Sequence, residues 1–285
     1  MNILVTGVGG QLGFDVVQRG TSMGLNMIGT TSSILDITDE AAVSAFVHKH
    51  KPDAVIHCAA YTAVDKAEDD KENCRKVNVD GTSYLAAAAK QVQAKFLYIS
   101  TDYVFDGGGQ EAFKESDPPR PINYYGLTKY EGEQVVRDLL SDYFIVRISW
   151  VFGINGNNFV KTMLRLAETR EELSVVGDQW GSPTYTADLA RLLLDLVRTD
   201  KYGIYHASND GFCSWEEFAR EIFAVADKDM KVNGITTDEY PTRAVRPKNS
   251  RMSKQKLIEY GLEPLPPWQD AVKRFLDQLK SEERK

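Results

Sequence analysis

The chain has 285 residues, enough for one large α/β domain or for a domain with a smaller partner. Its composition, 42% hydrophobic and 26% charged, is that of an ordinary globular protein. A net charge of -7 argues against a nucleic-acid or anionic-membrane partner, because both attract basic surfaces.

The cellular compartment is predicted from what the sequence lacks. No apolar run approaches the roughly 20 residues needed to span a bilayer. The first five residues lack the basic and apolar sections of a signal peptide. Cys58, Cys74 and Cys213 are scattered, with neither disulfide nor metal spacing. We therefore expect a cytoplasmic protein with no membrane partner.

The amino-terminal segment has the pattern strand, glycine turn, helix. An apolar run over residues 3–5 is followed by Gly7, Gly10 and Gly13, and an amphipathic segment begins at Gln11. The G-x-x-G-x-x-G spacing differs from the G-x-G-x-x-G dinucleotide fingerprint. Both let the backbone approach a pyrophosphate at a helix N-terminus. A flexible surface turn is the alternative, but the position between strand and helix favours the phosphate site.

The second strand, over residues 26–29, predicts the cofactor. It ends in the hydroxyl-rich run 30–33, where an NAD-selective site would carry an acid for the ribose 2′-hydroxyl. No carboxylate stands there, so nothing repels a 2′-phosphate and NADPH is the predicted cofactor, with NADH possible. Asp36 either accepts from the adenine amine or starts a helix, and Asp39 is the favoured helix N-cap.

Two further strands end in residues suited to a ligand. The strand over residues 53–57 is followed by Cys58-Ala59-Ala60, small residues that allow a ligand close to the backbone. His57 is expected to pack at that strand end rather than act as a base. The strand over 96–99 ends at Ser100-Thr101, where a hydroxyl can hydrogen-bond a reacting carbonyl.

The helix after a Gly- and Pro-rich loop carries Tyr125 and Lys129, four positions apart and therefore on one face. A phenol has an unperturbed pKa of about 10, and a nearby ammonium lowers the pKa by stabilising the phenolate. Tyr125 is thus a predicted proton donor to a carbonyl that receives hydride. The Y-x-x-x-K pattern alone is weak evidence for catalysis, and the motifs around it strengthen this interpretation.

The alternation of strands and helices predicts an α/β fold, a doubly wound, mostly parallel Rossmann sheet with a smaller C-terminal substrate-binding lobe. Residues 1–149 form the predicted dinucleotide-binding domain, to which 185–206 return. Residues 150–184 and 207–285 form the predicted lobe. The lobe carries a basic cluster, which is either a solvated loop or a phosphate contact: Arg243, Arg246, Lys248 and Arg251.

Four motifs together resemble the extended short-chain dehydrogenase/reductase superfamily, in order and approximate spacing. They are Thr6-Gly7-x-x-Gly10-x-x-Gly13, Asn78-Val79-Asp80-Gly81-Thr82, Ser100-Thr101 and Tyr125-x-x-x-Lys129. Within that superfamily the chain looks like the dTDP-4-dehydrorhamnose reductase family. That narrower resemblance rests on motifs in both halves, including Gly10-Gln11-Leu12-Gly13, Ser100-Thr101-Asp102-Tyr103-Val104-Phe105, Gly156-Asn157-Asn158-Phe159 and Arg246-Pro247-x-Asn249-Ser250.

The resemblance implies NADPH-dependent reduction of the C4 ketone of dTDP-4-dehydro-L-rhamnose to dTDP-L-rhamnose, for polysaccharide biosynthesis. Tyr125 would donate the proton, Lys129 would hold the nicotinamide ribose, and Thr101 would orient the carbonyl. The implied cofactor contacts, besides Tyr125 and Lys129, are Gly7, Gly10, Gln11, Leu12, Gly13, Thr30, Asp36, Ile37, Ala59, Ala60, Tyr61 and Asn78. The implied substrate contacts are Val64, Thr101, Asp102, Tyr103, Trp150 and Arg246, although Trp150 could instead be core.

The resemblance leaves metal binding and assembly open. Some members of the family dimerise around Mg²⁺ held by carboxylates. Asp15 and Asp188 align with two such positions as shorter acids, and Glu282 or Glu283 would have to supply a third ligand. Because a shorter side chain moves its oxygens, no metal ligand is predicted. The chain is expected to be a monomer or a homodimer.

Three other functions remain possible for this superfamily: a nucleotide-sugar 4,6-dehydratase, a 4-epimerase, and a non-catalytic nucleotide-binding regulatory subunit. A dehydratase usually follows its active-site Thr with Asp-Glu, whereas Thr101 is followed by Asp102-Tyr103. An epimerase keeps and recycles its NAD, whereas a reductase exchanges its cofactor. The intact Thr101, Tyr125 and Lys129 argue against a subunit without activity.

Overall fold

A six-stranded parallel sheet forms the centre of the computed structural model, which describes residues 1–282. The strands lie in the order β10-β5-β4-β3-β1-β2, and neighbours pair in parallel. This confirms the predicted α/β class. The elements of the first half are β1 Asn2–Thr6, α1 Gln11–Ser22, β2 Asn26–Thr30, α2 Glu40–His50, β3 Ala54–His57, α3 Val64–Ala67, α4 Lys71–Arg75, α5 Gly81–Gln91, β4 Lys95–Thr101, α6 Tyr124–Leu139 and β5 Tyr143–Ile148.

Apolar residues alternate between the two faces of the sheet because successive strand side chains point in opposite directions. Ile3 and Val5 pack in one buried cluster with Val16 of α1. Leu4, between them, packs in another with Val43 of α2. Helices therefore cover both faces, as a doubly wound sheet requires.

The chain after β5 adds a further buried cluster and returns to the sheet. Phe152, Phe218 and Phe275 are among the residues of this cluster. Its elements are β6 Val151–Phe152, α7 Phe159–Leu166, β7 Glu172–Val176, β8 Trp180–Gly181, β9 Thr184–Tyr185, α8 Thr186–Val197, β10 Gly203–His206, β11 Asn209–Asp210, β12 Cys213–Ser214, α9 Trp215–Val225, β13 Lys231–Ile235, α10 Gln255–Glu259, β14 Leu265–Pro267 and α11 Trp268–Glu282. Helix α8 packs beside α1, and β10 pairs with β5 at the sheet edge.

Local sequence signals set the helix boundaries near the cleft. Asp39 caps α2, as predicted, because its carboxylate accepts from the backbone N–H of Ala42 at 3.0 Å. The helical region after Val64 is interrupted, since a π-helical turn at Lys76–Asp80 separates α4 from α5. Such turns break the regular ladder and occur often at functional sites. Across residues 1–282, no helix combines the length and the apolarity needed to cross a membrane.

Candidate active site

A cleft of about 820 Å³ opens along the carboxyl ends of β1 to β5. In open parallel sheets, this edge is where ligands bind. The cleft brings together most of the predicted site residues from separate segments: Gly7, Gly10, Gln11, Leu12, Gly13, Thr30, Asp36, Ile37, Ala59, Ala60, Val64, Thr101, Asp102, Tyr103, Tyr125, Lys129 and Trp150. Tyr61, Asn78 and Arg246 are not among the residues that line it.

The glycine turn at the start of α1 leaves no room for a side chain at Gly7 or Gly13. Gly7 has φ +73°, and a Cβ there would lie 2.7 Å from the backbone nitrogen of Ala59. A Cβ on Gly13 would lie 2.5 Å from the carbonyl oxygen of Gly7. The turn therefore closes against the loop after β3 and presents the amino end of α1 to the cleft. This geometry fits a pyrophosphate held by backbone amides.

The hydroxyl-rich end of β2 forms another part of the cleft wall. Thr30, Thr31 and Ser32 line it, and the Thr31 hydroxyl lies 2.8 Å from that of Ser33. Asp36 is engaged locally, since its carboxylate accepts from the backbone N–H and the hydroxyl of Thr38. These bonds lower the pKa of Asp36 and keep it ionised.

Asn78 and Tyr61 lie behind the cleft wall and hold its parts together. The Asn78 side chain accepts from the Tyr61 backbone N–H at 2.8 Å and donates to the Thr128 hydroxyl at 3.0 Å. It is 1% exposed. The Tyr61 phenol donates to Asp70 at 3.0 Å. Asn78 thus ties the loop after β3 to the helix that carries Tyr125.

His57 is a packed, neutral side chain. It is buried at the end of β3, where its Nδ1 lies 2.7 Å from the Thr6 hydroxyl and its Nε2 lies 3.2 Å from the Thr82 hydroxyl. Burial, together with the charge of Lys129, lowers its pKa to about 3. The structure therefore agrees with the interpretation that His57 packs at the strand end.

The start of α6 fixes Tyr125 against the turn that follows β4. Asn123 is the N-cap and accepts from the backbone N–H of Gly126 at 2.8 Å. A Cβ on Gly126 would lie 2.1 Å from the carbonyl oxygen of Tyr103, so only glycine permits this approach. The Tyr103 and Tyr125 rings consequently meet edge to face, with centroids 5.8 Å apart.

The acidity of Tyr125 differs from the sequence-based expectation. Burial, with the nearby charge of Asp102, raises the pKa of Tyr125 above its usual range, whereas a lowered pKa was predicted. Lys129 is itself buried, which lowers its pKa to about 7, and its Nζ lies 4.0 Å from the centroid of the Tyr98 ring. Desolvation is the largest cause of both shifts in pKa. Tyr125 is accordingly a neutral phenol that retains the proton it would donate.

The Thr101 hydroxyl and the Asp102 carboxylate lie near the Tyr125 phenol. The Thr101 hydroxyl donates to Asp102 Oδ1 at 2.9 Å and accepts from the backbone N–H of Tyr103 at 3.2 Å. Asp102 Oδ2 is buried and, within residues 1–282, has no hydrogen-bond partner. Burial raises the pKa of Asp102 to about 6.

Two tryptophans form an aromatic wall at the cleft. Trp150, in a left-handed conformation with φ +48°, stacks on Trp215 with ring centroids 3.7 Å apart. Both rings line the cleft, and both pack against the buried cluster that contains Phe218. Trp150 therefore belongs both to the core and to the cleft wall, the two roles considered for it from the sequence. Trp215 is the first residue of α9, and nothing in the sequence indicated that its side chain reaches the cleft.

The basic cluster is mostly neutralised by acids. Arg246 donates to Asp65 at 2.5 Å and to the Tyr103 phenol at 3.3 Å. The other members are also engaged: Arg243 with Asp69, Lys248 with Asp178, and Arg251 over the Trp180 ring. The positive charge that suggested a phosphate site is thus mostly balanced in the fold by acids from other parts of the chain. Arg246, through Tyr103, is the member joined to a residue of the cleft wall.

The residues considered for Mg²⁺ do not fit a metal. Both oxygens of Asp188 accept from Arg274, at 2.6 and 2.7 Å, and Asp15 accepts from the Thr186 hydroxyl. Within residues 1–282, no three His, Cys, Asp or Glu side chains come together as a metal site. A guanidinium already supplies the positive charge, so a cation would have to displace it. Glu283 lies outside the described residues.

The fold and the cleft define an extended short-chain dehydrogenase/reductase, because a glycine turn at the first βα junction and a strand-end hydroxyl share one cleft with the Tyr/Lys pair of α6. Residues 1–281 match the model of the family described as RmlD substrate binding domain. The chain belongs to this family.

Named relatives and a solved structure match nearly the whole chain. A dTDP-4-dehydrorhamnose reductase of Aggregatibacter actinomycetemcomitans is 43% identical over 96% of this chain and 97% of its own. The spore coat polysaccharide biosynthesis protein SpsK of Bacillus subtilis is 40% identical over 98% of both chains. The crystal structure of dTDP-4-dehydrorhamnose reductase from Bacillus anthracis in complex with NADP is 44% identical, with a TM-score of 0.95 over 98% of this chain and 100% of that one.

Proposed function

We propose that the protein is an NADPH-dependent oxidoreductase that reduces the C4 ketone of dTDP-4-dehydro-L-rhamnose to dTDP-L-rhamnose, for polysaccharide biosynthesis in the cytoplasm. The observation that carries the proposal is the convergence of Thr101, Tyr125 and Lys129 in one cleft with the glycine turn. Relatives named for this reduction, with one structure in complex with NADP, supply the substrate and the cofactor.

The chain's own groups handle the proton of this reaction. When bound, a reduced nicotinamide supplies hydride to the ketone carbon. Tyr125, kept neutral by burial, gives its phenolic proton to the ketone oxygen, so that the carbonyl becomes an alcohol. To orient that oxygen, the Thr101 hydroxyl turns from Asp102 Oδ1 and donates its hydrogen to the ketone. Lys129 holds the nicotinamide ribose and, in its charged form, stabilises the phenolate that remains on Tyr125.

Cofactor selection rests on the end of β2. Thr30, Thr31 and Ser32 offer hydroxyls to a 2′-phosphate and no carboxylate to repel it. The backbone of the glycine turn, with Gln11 and Leu12, would hold the pyrophosphate, while Asp36 and Ile37 lie at the adenine end. Ala59 and Ala60 let the cofactor approach the strand backbone. NADH, which lacks the 2′-phosphate, remains usable at lower affinity.

Substrate recognition is assigned to the opposite wall. The stacked Trp150 and Trp215 rings present an apolar face to a 6-deoxy sugar, and Asp102 Oδ2 is a free acceptor for a sugar hydroxyl. Val64 and Tyr103 complete this wall, and Arg246 would turn toward the diphosphate from its place beside Tyr103.

We assign the two activities to separate parts of the chain. Residues 1–149 with 185–206 form the dinucleotide-binding domain, and residues 150–184 and 207–285 form the substrate-binding lobe; Val64, Asp102 and Tyr103 of the first domain also face the substrate. The buried cluster around Phe218, apart from those of the central sheet, supports this division. The assembly is proposed to be a monomer or a homodimer, in which Arg274 occupies both oxygens of Asp188, one of the two aspartates considered for Mg²⁺.

The test is consumption of NADPH with a panel of keto-sugar nucleotides. We expect stoichiometric loss of NADPH absorbance with dTDP-4-dehydro-L-rhamnose. A 4-epimerase would interconvert sugar epimers without net loss of NADPH, and a 4,6-dehydratase would release water from a 4-hydroxy sugar nucleotide. A regulatory subunit would bind NADPH without consuming it. Any of these results, with no reduction of the ketone, would overturn the proposal.

A further inference from the structure

The buried ion pair between Glu133 and Arg147 lies directly beneath the proposed catalytic groups. Glu133 is 0% exposed and Arg147 is 1% exposed. The pair is bidentate, with Arg147 Nε donating to Glu133 Oε1 at 2.8 Å and Arg147 Nη2 donating to Oε2 at 2.7 Å. A buried pair of this kind is costly to desolvate and contributes little net stability. Its position therefore calls for a role other than stability.

Glu133 links the three elements that form the site. It lies on α6, one turn beyond Lys129 and two turns beyond Tyr125, so the three side chains share one face of the helix. Its Oε1 also accepts from the Ser100 hydroxyl on β4 at 2.5 Å, and Ser100 immediately precedes Thr101. Arg147 lies on β5. A single carboxylate thus fixes α6 against the strand that carries Thr101.

Glu133 is also the main negative charge that acts on Lys129. Burial lowers the pKa of Lys129 to about 7, and the charge of Glu133 is the largest opposing influence. No carboxylate within residues 1–282 forms an ion pair with Lys129 by direct contact. Without the carboxylate, a buried ammonium would lose its proton at lower pH.

Four other titratable groups face Lys129 from the elements packed around it. Cys58, after β3, and Cys74, on α4, would favour the ammonium of Lys129 only as thiolates, and burial raises the pKa of both thiols. His57 is neutral and buried, and Tyr98 offers its ring face. Burial raises the pKa of Cys58 to about 12, so this thiol carries no charge near neutral pH. Glu133, paired with Arg147, is the carboxylate that acts on Lys129.

We propose that Glu133 is a positioning residue for the reduction, which keeps Lys129 charged and holds α6 against β4, with Arg147 as the partner that orients the carboxylate. The catalytic part of this inference rests on the proposed function. The charge of Lys129 can be measured without any turnover.

The experiment measures the titration of Lys129 by NMR of the isotope-labelled lysine side chains, assigned with Lys129→Met. Glu133→Gln preserves shape and the hydrogen bond to Ser100 but removes the charge. Because it leaves Arg147 as an unpaired buried cation, it can fail to fold. The double variant Glu133→Gln/Arg147→Met removes both charges and is the folded test. The matched control, Glu131→Gln/Arg75→Met, removes a partly exposed ion pair that joins α6 to α4.

We expect the pKa of Lys129 to fall from about 7 in the wild type to about 6 or below in the double variant, and to remain unchanged in the control. The alkaline limb of the kcat profile should move toward acid by a similar amount, with the KM for the nucleotide sugar changed less than about twofold. An unchanged Lys129 titration in the folded double variant would overturn the proposal. A shifted titration with an unmoved kcat profile would overturn its catalytic part. A shifted titration in a protein that reduces no keto sugar would refute the proposed function alone.

Discussion

Gly13→Ala perturbs the proposed pyrophosphate site through one methyl group. The added Cβ would lie 2.5 Å from the carbonyl oxygen of Gly7, so the turn must retreat by about 0.9 Å to reach an ordinary contact of 3.4 Å. The turn has no room to do so, because Gly7 is itself closed against the backbone of Ala59. Overpacking of this kind costs about 1–3 kcal/mol. If that cost falls on the cofactor-binding geometry, NADPH affinity drops by roughly five- to a hundredfold.

The same turn provides the control. A Cβ on Gly9 would meet only the Thr31 methyl, at 3.7 Å, which is ordinary contact. NADPH binding would be measured by fluorescence titration of the wild type, Gly13→Ala and Gly9→Ala, with thermal unfolding of each. We expect at least a fivefold loss of affinity for Gly13→Ala and less than about threefold for Gly9→Ala. Equal affinities in the two variants would refute the steric argument and the placement of the pyrophosphate.

Two further predictions concern charge. The pKa of Asp102 is raised from 3.8 to about 6 in the folded protein. The folded protein therefore binds this proton more tightly than the unfolded chain does, and stability is lost as the pH rises from about 4 through about 6. Asp102→Asn should therefore stabilise the fold by up to about 3 kcal/mol at pH 8 and by little at pH 4. Denaturant unfolding measures the free energy of unfolding of the variant and the wild type, and the same difference between them at both pH values would contradict this. Ser32→Asp should weaken NADPH binding by at least about tenfold while leaving NADH binding within threefold, since a carboxylate repels only the 2′-phosphate. Titration with both cofactors checks this, and an equal loss for both would argue against 2′-phosphate contact at Ser32.

The sequence predicted those features that depend on short-range patterns. The apolar strands, the glycine turn after β1 and the Asp39 cap each follow from residues a few positions apart. The carboxyl ends of parallel strands necessarily meet at one edge of the sheet. For this reason the sequence alone predicts that the strand end at Thr101 and the helix that carries Tyr125 converge.

The features that the sequence did not predict depend on distant contacts or on burial. Trp215 reaches the cleft only because it stacks on Trp150, 65 positions earlier in the chain. Arg246 reads as a free cation in sequence but pairs with Asp65 in the fold. The pKa of Tyr125 was predicted to fall because the motif shows a nearby lysine and does not show that both groups are desolvated. Helical spacing alone could have indicated Glu133, since it continues the face of Tyr125 and Lys129.

Single-turnover hydride transfer in Tyr125→Phe is the most direct test of the central claim that this phenol protonates the ketone oxygen. The variant removes only the hydroxyl, and because Tyr125 is also an expected cofactor contact, its rate is compared with that of the wild type at saturating NADPH. With dTDP-4-dehydro-L-rhamnose in excess, we expect the rate of NADPH oxidation to fall at least about a hundredfold. A variant that binds NADPH normally and oxidises it at the wild-type rate would contradict the account.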